Sequence, residues 1–151
     1  MPPHLQVEVS RLNMLLNCEL SASEIYNLAI SRIGDDHAEE SFALSRLALE
    51  HQTQSNLLKD EIRRRGGRAK AGVSDWSPYA KTIAESENLF RDVLALDALR
   101  LGELRGLEEY RAVLADDSLD APTRSLLVDY LVPGKERHIA TLEALISRIN
   151  F

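Results

Sequence analysis

The chain has little that could staple it. A single cysteine, Cys18, excludes an internal disulfide and any metal motif built on a cysteine pair. No apolar run approaches the roughly 20 residues that a membrane-spanning helix needs. Positive charge is in deficit, with 18 Lys and Arg against 24 Asp and Glu, a net charge of −6 and a pI near 5.2. Nucleic acid is therefore excluded as the main partner, because phosphate binding needs a positive field. Glycine-rich phosphate loops and nucleophile elbows are missing too, so nucleophilic catalysis has no foothold. The opening "MPPHLQVEVS" carries no charged-then-apolar leader, and a cytoplasmic location is the expectation.

Alternation of apolar and polar residues is also lacking, which leaves helix as the only regular element. With 151 residues the chain is read as one domain, 1–151. Its few glycines and prolines mark the breaks. A first helix is predicted from about Gln6 to Ile33, with Leu12, Leu15, Leu16, Glu19, Ala22, Tyr26, Ile30 and Ile33 along one stripe. Gly34 punctuates its end. Asp36 is the expected N-cap of a second helix that reaches Arg65, where Gly66 stops it. Ser77-Pro78 can open a short helix, the main third one beginning near Ser86 and ending near Ala115. A fourth runs from Pro122 to about Ile149, interrupted at Pro133-Gly134. Tight turns make two antiparallel hairpins, and the long segment "GGRAKAGVSDWSPYAKTIAE" joins them as one crossover. That pattern is an all-α four-helix bundle.

Two stretches break the apolar rule. "CELSASEIYNLAI" and "GELRGLEEYRAVL" each set a glutamate seven residues before a tyrosine, Glu19 with Tyr26 and Glu103 with Tyr110. Seven residues are about two turns, so each pair shares a helix face. Helix two loses its large hydrophobes at "EHQTQSN", where Glu50 and Thr53 are projected inward between Leu47 and Leu57. Helix four does so at "PGKERH", where Lys135 and His138 lie between Leu131 and Leu142. Counted from the turns at 1.5 Å per residue, Glu19, Glu50, Glu103 and Lys135 lie roughly 18 to 23 Å along their helices. They should meet in one layer, and acids gathered there need cations.

A glutamate on each of two helices, with Glu-x-x-His on the other two, is the di-iron pattern of the ferritin-like superfamily. The chain resembles bacterioferritins and rubrerythrins at Glu19 through Tyr26, at "EHQTQSNLLKDEI", at Glu103 through Tyr110 and at "KERHIATLEAL". "LLKDEIRRRGG", followed by Gly72, Ser74 and Trp76, also resembles a bacterial family of ferritin-like domains with no assigned activity. The resemblance implies a metal set of Glu19, Glu50, Glu103 and His138, but Thr53 and Lys135 stand where ligands are expected. An ammonium removes a ligand and repels a metal. A degenerate di-iron site follows, with no cofactor and a non-catalytic structural, regulatory or stress-related role. Lys135 and His138 would then neutralise the acids. The alternative is a metal-binding protein or oxidoreductase holding iron, manganese or zinc. A bulge at Pro133 could serve it by turning Glu136 inward in place of Lys135.

The remaining candidates read as structural. Tyr26 and Tyr110 are expected to pack, with hydroxyls on a glutamate. His51, one step from Glu50, is assigned to the surface or a helix contact. Cys18 is a small core residue. The basic run "RRRGGRAK" complements a helix end, with anion binding as the other reading. Trp76 either anchors the crossover or joins a subunit contact. Self-association or a protein partner is expected.

Overall fold

The structure, a computed structural model, describes residues 2–33, 37–70, 76–89 and 92–149. Among these every regular element is helical. In chain order they are α1 (Pro3–Ile30), α2 (Ala38–Arg64), α3 (Ser77–Ala84), α4 (Val93–Leu114), α5 (Ala121–Leu126) and α6 (Val132–Ile149). A π-helical turn, Leu127–Leu131, welds α5 to α6. The expected stop at Gly34, the Asp36 cap, and Gly72 and Ser74 lie outside the described residues.

Local chemistry sets most of the ends. Gly66 has φ 74°, and the Gly66 and Gly67 amides donate to Arg63 and Ile62, a Schellman stop for α2. Asp92 caps α4 by accepting from the Ala95 amide, so this helix begins later than the expected Ser86. Asp120 caps α5 through Thr123. The Arg65 guanidinium then holds that cap from α2, reaching both Asp120 oxygens at 2.9 and 3.0 Å. Arg63 and Arg64 pair with Asp60 and Glu61 one turn back. The first half of the basic run is thereby explained by local ion pairs.

Pro133 does not interrupt the last rod. A proline ring crowds the carbonyl four residues before it, and widening the preceding turn relieves that clash. The Val132 amide accordingly donates to Leu127, five residues back.

α1 packs along α2 and α4 along α6, while α1 also touches α4 and α2 touches α6. Two apolar clusters fill the interior. One gathers Ala22, Tyr26, Leu44, Leu96, Leu99 and Leu142; the other gathers Leu12, Leu16, Leu58, Ile62, Val113 and Leu127. Their membership shows that α2 ends in the second cluster and α4 begins in the first. The connection between them therefore travels the length of the molecule. Trp76 pins it, 2% exposed and edge-on to Tyr26 at 6.1 Å. A Cβ at Gly102 would lie 2.3 Å from the indole, so only glycine lets Trp76 seat there. The anchoring alternative for Trp76 is the observed one.

Candidate functional site: a buried ionic layer

Between the two clusters lies a polar layer drawn from all four long rods. Glu19 from α1, His51 from α2, Glu103 from α4, and Lys135 and His138 from α6 are each fully buried. His51 bridges the two acids, with Nδ1 2.5 Å from Glu19 Oε2 and Nε2 2.7 Å from Glu103 Oε1. His138 continues the chain, Nδ1 at 3.1 Å from Glu103 Oε2 and Nε2 at 2.5 Å from Glu50 Oε2. The Lys135 ammonium sits 3.8 Å from Glu19 and 3.6 Å from Glu103, and 5.5 Å from the centre of the Tyr110 ring. The Tyr110 hydroxyl donates to Glu19. With its nitrogen turned toward Glu19, the Gln54 amide donates at 3.1 Å. Tyr26 contributes its ring, 5.1 Å from that of His51.

The shared layer of Glu19, Glu103, Lys135 and His138 is as expected; helix two is not. His51 lies at the centre of the layer, not on the surface. Thr53 is exposed and donates to Leu49 O, and Gln54 takes the inward place. Glu50 sits at the rim, its side chain 36% exposed beside Arg137. The error is one of phase. Leu47 and Leu57 do not share one stripe: ten residues at about 100° each leave them some 80° apart. Leu44, Leu47, Leu58 and Ile62 are buried, whereas Leu57 is only partly so. Their spacing puts His51 and Gln54 inward, a signal present in the sequence. Glu136 is exposed as well, so the π turn does not bring it in place of Lys135.

Charge decides what this layer is. Burial alone lowers the basicity of His51 and Lys135 adds to that, but Glu103 and Glu19 outweigh both and raise the ring to about 9. Burial would raise the Glu19 carboxyl, yet Lys135 and His51 hold it below its ordinary value. Burial opposes Glu103 too, and there His51 and then Lys135 win by a wide margin. For Lys135, burial is overcome by Glu103 and Glu19. Two buried anions thus meet two buried cations. Raised to about 9 between two buried carboxylates held below their ordinary value, His51 donates from both nitrogens as an imidazolium.

Compared with protein-family models, characterised proteins and solved structures, the chain matches none. The layer speaks through its own chemistry. One further grouping is present: donor atoms of His51, Glu103 and His138 lie within 4.8 Å of one another, close enough to surround a single ion.

The pH dependence of stability follows in sign. Glu19 and Glu103 titrate below 4.5 when folded, so their contribution is present above 4.5 and lost as acid protonates them. His51 is raised from 6.5 to about 9, so its contribution is complete below 6.5 and lost as pH rises through 9. Urea midpoints should therefore be highest between 4.5 and 6.5. They should fall toward pH 9 with a limiting slope of about 1.4 kcal/mol per unit. His51→Gln should flatten the alkaline limb; a wild-type profile flat from pH 6 to 9.5 would contradict an imidazolium at this position.

Proposed function

We propose that this chain is a ferritin-like four-helix bundle whose centre is neutralised by its own side chains. Its role is non-catalytic: a bacterial, cytoplasmic protein of structural, regulatory or stress-related function, acting through its surfaces or by self-association. One observation carries the reading. The Lys135 ammonium is buried between the same two carboxylates that His51 bridges.

The donor set does not fit a dinuclear metal centre. Thr53 and Glu136, which would have to point inward, are exposed. Both His51 nitrogens face carboxylate oxygens and offer no lone pair. An ammonium within 4 Å of both buried acids opposes a metal charge there. Support for action through surfaces comes from Phe42 and Leu49, seven residues apart on α2 and 66% and 67% exposed. Large exposed apolar side chains on one helix face are suited to contacts with another protein.

A second reading has a specific observation behind it, the His51, Glu103 and His138 grouping, which would hold one iron, manganese or zinc ion. Elemental analysis of protein purified without chelators, with melting curves in each metal, separates the two. The ionic reading expects substoichiometric metal and unchanged melting. One ion per chain with a rise of more than about 4 °C would favour the second reading.

A further inference from the structure

The layer has been shaped around an amine. Gly106 lies one turn beyond Glu103 on α4, and a Cβ there would come within 2.9 Å of Lys135 Cε and 3.1 Å of Nζ. Glycine inside a helix costs stability, so a missing side chain at this position has to be accounted for. It is accounted for by the room it leaves the Lys135 terminus. The ammonium is held at ion-pair distances of 3.6 and 3.8 Å and has no hydrogen-bond acceptor of its own. Charge, not directed bonding, keeps it in place. Beside its partner Glu103 converge groups that a divalent ion could use once His51 gives up a proton: His51, Glu103 and His138, within 4.8 Å of one another.

The layer reaches the surface at one edge. Glu50, the rim member of the chain, is hydrogen-bonded to His138 and in loose contact with exposed Arg137. Surface cavities of about 220 and 250 Å³ flank this contact, both lined by Glu50 and Arg137.

We propose that Lys135 decides which cation occupies the layer: its ammonium closes the layer to metal, and a chain lacking it takes up one divalent transition ion at His51, Glu103 and His138. The inference rests on the ionic reading above. Removing Lys135 leaves two buried carboxylates with one cation between them. The uncompensated negative charge attracts a metal ion, which displaces the His51 proton as it binds.

Titration of full-length Lys135→Ala with Co2+, followed by visible absorption and by melting temperature, tests this. The expected result is saturable uptake of one ion per chain, at least about a hundredfold tighter than by the natural chain. Adding His138→Gln should abolish it. Gly106→Ala, which crowds the ammonium but keeps its charge, should remain unresponsive. If Lys135→Ala is unfolded alone, Co2+ must restore its helical circular dichroism. A folded Lys135→Ala that ignores Co2+, or an unfolded one that Co2+ leaves unfolded, overturns the inference and spares the ionic reading. Stoichiometric Co2+ uptake by the natural chain overturns the ionic reading itself.

Discussion

Lys135→Met is expected to destabilise the protein by at least about 3 kcal/mol, read from urea midpoints near neutral pH. Methionine keeps an unbranched chain of similar length, so the space beside Gly106 stays filled and little packing is lost. What disappears is the charge that stands 3.8 and 3.6 Å from Glu19 and Glu103. Both acids are fully buried and cannot turn to water, and breaking a buried ionic set leaves its desolvation cost uncompensated. An exposed pair calibrates the result. Lys81 and Glu85 lie 4.0 Å apart with side chains 83% and 67% exposed. Lys81→Met should change stability by no more than about 0.5 kcal/mol. If the two lysine variants behave alike, the buried ammonium has no structural role.

Glu103→Leu should be as severe, a loss of roughly 3 to 5 kcal/mol. This carboxylate accepts from His51 and His138 and pairs with Lys135, so it is the acid that both histidines share. Its removal leaves the His51 and Lys135 charges facing one acid, Glu19. The double variant Glu103→Leu with Lys135→Met removes one charge of each sign and restores the balance. It should be more stable than the sum of the single losses by more than about 1 kcal/mol. Simple additivity would show that the two groups act independently. Without Glu103 the His51 ring also loses its largest favourable neighbour, so the alkaline decline in stability should still begin near 6.5 but be smaller and end at lower pH.

Much of this architecture could be read beforehand because its signals are local. A carboxylate inside an apolar stripe, as at Glu19 and Glu103, has few physical explanations. The same is true of a lysine among leucines, as at Lys135. Gly66 could be read as a stop because a helix end with positive φ favours glycine. The failures lie where two adjacent residues compete for one inward position. On α2 a phase error of one residue exchanged His51 for Glu50 and Gln54 for Thr53, although four buried leucine and isoleucine positions contained the right answer. Near Pro133 the number of residues per turn depends on how the backbone relieves a clash with the ring, which periodicity does not encode. Gly106 and Gly102 were legible only as weak points in a helix. Their purpose, room for Lys135 and for Trp76, depends on residues that are distant in sequence.

A crystal grown at neutral pH from protein exposed to Fe2+ and Zn2+, with anomalous scattering recorded at both edges, distinguishes an ammonium from a metal in the buried layer. Density between Glu19 and Glu103 should be continuous with the Lys135 side chain, with no anomalous peak there. An anomalous peak on His51, Glu103 and His138, with Lys135 turned away from both acids, would contradict the ionic layer.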